Sequence, residues 1–276
     1  MAISVVYLSL GTSMNAANLP ELGSDGQELS ALKAEHAPHA IRRRLDQGPE
    51  HPYLKDFIYG AVDGAVTTFA VVSGVAGAGL SSGVIIILGL ANLVADGFSM
   101  AASNFLGSKA ESQMREKARA QEHRHIDLIP DGEREEIRQI FANKGFEGVD
   151  LENAVKVITS DRARWVETML QEEHGLASKP TSEWKSAIST FVAFVIVGAI
   201  PLITFLVNCV VPGAFTHPFL WSILLTGFAF FAVGVAKAKF VDLSKWKSGL
   251  ETLMVGGGAA VLSYLIGMAL RGMIPT

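Results

Sequence analysis

The stretch DFIYGAVDGAVTTFAVVSGVAGAGLSSGVIIILGLANLVADGFSMAASNFLG, residues 56–107, decides the fold. It is apolar or small almost throughout, yet it holds Asp56, Asp63 and Asp96, with Met100 one helical turn beyond the last aspartate. Two apolar runs flank the loop LSSG at 80–83, each near the ~20 residues that a helix needs to cross the hydrocarbon core. The pattern is that of a membrane-spanning hairpin with carboxylates where they are most costly.

Outward from this hairpin the chain repeats the apolar signal. Five spans are expected at 57–79, 84–106, 186–208, 216–236 and 249–270, and none contains a lysine or arginine. With 49% hydrophobic and 18% charged residues and a mean hydropathy of +0.32, an ordinary soluble domain is excluded. The expected fold is an all-α membrane protein: five transmembrane helices with a helical, charged insert between the second and third. Its parts are a polar tail (1–50), the first two spans (51–106), the insert (107–185) and the last three spans (186–276). The apolar run at 3–10 is shorter than a span and has no basic residue before it, so residues 1–20 read as tail. The lone Cys209 can form no intrachain disulfide, and no CxxC pair points to zinc.

Basic residues set the orientation. Lys33, Arg42, Arg43, Arg44 and Lys55 precede the first span, many more lie in the insert, and Lys237, Lys239, Lys245 and Lys247 sit between spans four and five. The opposite loops, 80–83 and 209–215, carry none. The positive-inside rule then places the N-terminus, the insert and the four-lysine loop in the cytoplasm, with Arg271 the exception at the far end.

Within the hairpin, Asp56 and Asp63 are two turns apart on one helix face, and Asn92, Asp96 and Met100 form a stripe at i, i+4 and i+8. Counting from a turn centred near Ser81 and Ser82 puts Asp63 level with Met100 and Thr67 opposite Asp96. A centrally placed aspartate costs about 2.5–3.5 kcal/mol even on the lowest insertion scales, and no span offers a basic partner. Asp63 and Asp96 are therefore protonated, cation-bound or facing water, all of which suit a path for protons or metal ions. The competing reading is structural: polar groups bonding a neighbouring helix, with Asp56 anchoring at the interface beside Lys55 and Met100 merely packing. Carboxylates alone favour Mg²⁺ or Ca²⁺, whereas a thioether shifts the preference toward Fe²⁺, Mn²⁺ or Co²⁺. Gly60, Gly64, Gly74, Gly77 and Gly97 allow close helix approach. One Asp and one Met make a thin ligand shell, so a second copy across a homodimer interface would complete it.

In the insert, 108–128 should continue the second span as a helix ended by Pro130, with further helices from Asp131 to Gly145 and over 150–159 and 161–173. Glu122 with His125, Glu133 with Glu136, and Met169 with Glu173 each share a helix face and could chelate a metal jointly. Solvated helix surfaces are the competing reading.

The run D-F-x-x-G-x-x-D-G-x-x-T-T, the second-span pattern A-N-L-V-A-D-G-x-S-M-A-A-S-x-F-L and the last-span stretch G-L-E-T-L-M-V-G-G-G-A-A-V-L-S-Y-L-I-G resemble the vacuolar iron transporter family, from about residue 50 onward. The resemblance implies export of Fe²⁺, and often Mn²⁺ and related ions such as cobalt or zinc, from the cytosol in exchange for protons. It implies a dimer whose metal path lies between the protomers. Carried over, Asp63 and Met100 match intramembrane metal ligands and Asp56 an acidic residue at the path's mouth. Glu122, Glu133, Glu136 and Glu173 match glutamate ligands of the insert, and Met169 a methionine ligand. Two positions depart from some members: Asn92 and His125 stand where those have glutamate. Asn92 removes a titratable group from the path, leaving Asp96 or Asp56 to serve proton coupling.

The expectation is a secondary transporter, not an enzyme, with no bound cofactor; its partners are Fe²⁺ and related divalent cations, protons and the lipid bilayer. No GxxxxGK[ST] loop is present to bind ATP, and no nucleic-acid partner is expected. A bacterial plasma membrane is favoured, or a vacuole-like membrane in a eukaryote. The alternative is a membrane-anchored ferroxidase, iron-storage or metal-sensing protein built on the insert, although a di-iron fold wants Glu-x-x-His on two helices and only EHRH at 122–125 supplies one.

Overall fold

The computed structural model describes residues 25–47, 52–176, 181–240 and 243–273; the tail at 1–20 lies outside them. Among the described residues the chain is helical, without strands. Two short helices, α1 (Asp25–Glu35) and α2 (Pro38–Gln47), form a unit of their own, with Arg42, Arg43 and Arg44 on α2.

The second unit holds five helices long and apolar enough to cross a membrane, so the protein is a multi-pass integral membrane protein. They are α3 (Leu54–Gly77), α4 (Ser82–Leu128), α8 (Glu183–Gly198) continued by α9 (Ile203–Val210), α10 (Pro218–Phe240) and α11 (Lys245–Leu270). Between α4 and α8 lie α5 (Pro130–Asn143), α6 (Gly148–Thr159) and α7 (Arg162–Glu172).

The third span is not the single helix expected at 186–208. A short 3₁₀ turn at Ile200–Leu202 separates α8 from α9, because Pro201 has no N–H to continue the helical ladder. The Ser222 hydroxyl donates to the Pro201 carbonyl at 2.6 Å. The second span is longer than the membrane requires: α4 runs 47 residues without interruption and ends just before Pro130.

Helix α3 is the hub, packing against α4, α8, α10 and α11. Its buried residues are mostly small: Gly60, Ala61, Gly64, Ala65, Thr68, Ser73 and Gly77, with Phe69 and Val72 filling the wider gaps. A Cβ at Gly60 or Gly64 would overlap the backbone carbonyl of Thr190 or Phe194 on α8, and one at Gly198 would stand 2.7 Å from the Gly64 carbonyl oxygen. At this crossing α3 and α8 touch backbone to backbone.

The insert has its own core of Ile126, Ile137, Val155, Trp165, Val166, Met169 and Leu170. Buried Arg115 on α4 holds both oxygens of Glu167 on α7 at 2.7 Å, and Arg162 holds Asp127 with a second fork at 2.6 and 2.8 Å. These pairs tie α7 along the extension of α4. Replacing Gly64 by alanine should lower stability by roughly 1–3 kcal/mol, the usual cost of overpacking, read as a reduced melting temperature in detergent. Alanine at Gly257, where nothing lies within 4 Å of the new Cβ, should cost nothing.

Candidate functional site

The turn joining α3 to α4 is tighter and earlier than expected. Helix α3 ends at Gly77, Gly79 takes a left-handed φ of 73° and Ser81 already caps α4. Moving the turn centre toward Gly79 and Leu80 shifts the pairing of the two helices by about one turn of α4. The Asn92 amide therefore donates to the hydroxyls of Thr67 and Thr68, both at 3.4 Å, so Thr67 faces Asn92 and not Asp96. The same register puts Asp63 level with Asp96. At the far end of the hairpin the Asn104 amide donates to Asp56 Oδ1 at 3.0 Å.

Asp63 and Met100 nonetheless border one cleft. Together with Asp56 they line one open cleft of about 490 Å³, completed by Lys55, Tyr59, Ser99, Ser103, Asn104 and Thr190. All three candidate ligands are partly buried, as are Asn92 and Asp96. The third wall comes from α8, which reasoning confined to the hairpin misses. Thr190 on α8 accepts from the Asn104 amide at 2.7 Å, and the same amide reaches the Ser186 carbonyl at 3.4 Å. Asn104 thus ties α3, α4 and α8 together beside Asp56. The sequence signal was present, since Asn104 extends the stripe of Asn92, Asp96 and Met100 by one more turn.

A second cluster forms in the insert, where Glu122, Glu133 and Glu173 come together with two histidines. Glu122 on α4 and Glu133 on α5 are each 1% exposed. His125 Nδ1 lies 3.2 Å from Glu133 Oε1. Glu122, His125 and Glu133 each offer a ligand atom within 4.8 Å of the others, a spread that fits around one divalent ion. A second triad, Glu122, Glu173 and His174, meets the same limit, with His174 Nε2 2.9 Å from Glu122 Oε1. Glu136 is exposed at the rim, and its carboxylate feels the charges of Glu173, Glu122, His125 and His174. Met169 is fully buried in the insert's apolar cluster, one turn before Glu173.

His174 is the residue that the sequence reading missed. The N–H groups of Glu173 and His174 both bond the Met169 carbonyl, at 3.0 and 3.3 Å, and Gly175 turns the chain with φ of 65°. Glycine directly after EEH marks the helix end, and that ending aims both side chains at Glu122.

The electrostatics of the cluster are those of a site short of positive charge. Burial, followed by the nearby charges of Glu122 and Glu136, pushes Glu133 up to about 8. Glu136 is also raised, by burial and then by Glu173 and Glu122, with His125 and His174 opposing. Glu122 Oε2 and Glu133 Oε2 have no hydrogen-bond partner.

The sequence model of the VIT family matches residues 54–268. The chain belongs to the VIT family. It is 29% identical over 263 residues to the "Vacuolar iron transporter" of Toxoplasma gondii, covering 90% of this chain and 87% of that one. It is 30% identical to the "Vacuolar iron transporter" of Plasmodium berghei over 84% of this chain and 89% of the other. Against "Vacuolar iron transporter 1" of Eucalyptus grandis the identity is 30%, over 83% and 92%. The VIT family match takes in the cleft and the insert cluster and begins after α2.

Because folded Glu133 holds its proton up to about pH 8 while an unfolded glutamate loses it near 4.3, the folded state binds more protons between these values. Stability of the metal-free protein should therefore fall as pH rises from about 4.5 to 8. Glu133→Gln should flatten that slope, measured as melting temperature against pH in a chelating buffer.

Proposed function

We propose that this VIT family member exports Fe²⁺ from the cytosol, with Mn²⁺, Co²⁺ and Zn²⁺ as further substrates, by exchange for protons. One observation carries the reading: Asp63 and Met100, far apart in sequence, line one open cleft with Asp56 in the membrane-spanning unit. A carboxylate with a thioether is a donor set for a transition metal rather than for Mg²⁺ or Ca²⁺. The names borne by the relatives support the same cargo.

In this reading the insert is cytoplasmic and its carboxylates collect the ion. Asp56, held by Asn104, stands at the mouth of the cleft, and Asp63 and Met100 take the ion next. Metal ligands must be deprotonated to bind, so protons arriving from the opposite side neutralise the carboxylates and release the cargo. Asp63 and Asp96, level on neighbouring helices, are the carboxylates on the path; Asn92, bonded to Thr67 and Thr68, orients the helices without carrying charge. The α4 face beside the cleft leaves Val94 and Phe98 exposed. A second copy against that face would bring a second Asp63 and Met100 and complete the shell between protomers. The chain acts as a secondary transporter, with the ion as substrate rather than cofactor.

Purified protein in sealed liposomes, with an internal pH dye and a metal-quenched reporter, tests this. Fe²⁺ flux should drive protons the other way. Asp63→Ala should abolish it, and Met100→Ala should reduce it about tenfold, in the range of a lost metal-site contact. Folded protein that moves no Fe²⁺, Mn²⁺ or Co²⁺ under a pH gradient would overturn the reading, and oxygen consumption with Fe²⁺ would redirect it to an oxidase.

A further inference from the structure

The carboxylates of the insert explain attraction for any divalent cation, but not the two imidazoles among them. His125 comes from α4 and His174 from the end of α7, with side chains 38% and 25% exposed. Each joins a separate triad with donor atoms within 4.8 Å of one another, and Glu122 belongs to both. Glu122 is 1% exposed; its Oε1 meets His174 at 2.9 Å, while its Oε2 has no partner. Glu133, also 1% exposed, meets His125 Nδ1 through Oε1 at 3.2 Å, while its Oε2 has no hydrogen-bond partner. Buried carboxylate oxygens without partners are costly, and a cation seated among them removes that cost.

We propose that His174 is a metal ligand of the insert, and that it and His125 divide the cluster into two adjoining ion positions that share Glu122 and prefer Fe²⁺, Co²⁺ and Zn²⁺ over Mn²⁺. This rests on the reading of the insert as a metal-collecting module. Each position supplies one imidazole and two carboxylates. Oxygen donors alone suit Mn²⁺, Mg²⁺ and Ca²⁺, whereas an imidazole nitrogen favours the later ions of the first transition row and Zn²⁺. The contact to Glu122 Oε1 fixes the ring of His174 beside the shared carboxylate. The insert would thus screen ions before they reach the cleft.

Titration calorimetry on the full-length protein in detergent, with Zn²⁺, Co²⁺ and Mn²⁺ added separately, tests the assignment. His174→Ala should weaken one of two Zn²⁺ or Co²⁺ sites by about tenfold or more, while Mn²⁺ affinity changes by less than about threefold. His125→Ala should do the same to the other site. The visible bands of bound Co²⁺, which report nitrogen ligation, should change with each variant. His174→Glu keeps a donor at the position and guards against misfolding; it should retain Mn²⁺ binding and lose the preference for Zn²⁺. Unchanged Zn²⁺ and Co²⁺ binding in His174→Ala would overturn the proposal, as would an equal loss for Mn²⁺. Glu122→Gln and Glu133→Gln separate the two readings. If they abolish binding while His174→Ala is silent, only the histidine assignment falls; if they too change nothing, the metal-collecting role of the insert falls with it.

Discussion

The backbone contact between α3 and α8 at Gly60, Gly64 and Gly198 governs the membrane unit. Between helices surrounded by lipid there is little hydrophobic drive to associate, so close packing and interhelical hydrogen bonds must hold them together. Removing the side chains at the crossing lets both act at once. It also draws Thr190 of α8 toward Asn104 of α4, so that one amide reaches Asp56 on α3, Thr190, and the Ser186 carbonyl. The cleft holding Asp63 and Met100 lies where α3, α4 and α8 meet.

The two acidic regions pose the same physical problem in different solvents. In the membrane unit, Asp63 lines the cleft and Asp96 sits level with it on α4, and no other span contributes a basic residue there. In the insert, Glu122 and Glu133 are removed from water by the protein itself, while the arginines nearby are engaged elsewhere: Arg115 with Glu167, Arg162 with Asp127. Each region gathers more carboxylates than cationic partners: the cleft has Lys55 beside Asp56 and Asp63, and the insert cluster only His125 and His174. Such an arrangement is tolerable for a protein whose cargo is positive, and wasteful for one that merely needs to fold.

Much of this could be read from residue pattern, and the failures have identifiable causes. The five spans follow from apolar runs free of lysine and arginine, and the extent of the insert helices from Pro130, Gly145 and the charge pattern. The break at Pro201 was missed because the surrounding residues stay apolar, and hydropathy does not register a missing N–H. The hairpin pairing was displaced by one turn because Ser81 and Ser82 look like a loop centre, whereas Gly79 makes the turn and Ser81 starts the helix. The same shift moves Met100 one turn from the level of Asp63, although both residues line the cleft. Thr190 and His174 lay beyond reach for a different reason: they arrive from segments distant in sequence, and helix periodicity says nothing about which distant face will be brought near.

The uninterrupted α4 has a mechanical consequence. Met100 and Glu122 lie on one continuous rod, about 33 Å apart at 1.5 Å per residue. No flexible joint separates them along that helix, so the insert cannot drift independently of the membrane-spanning half of α4. A rocking of about 5° about the level of Met100 would swing Glu122 sideways by roughly 3 Å, from the same helical rise. That is comparable to the distance between neighbouring donors in the insert cluster. A small tilt of α4 within the bilayer would thereby be magnified at Glu122.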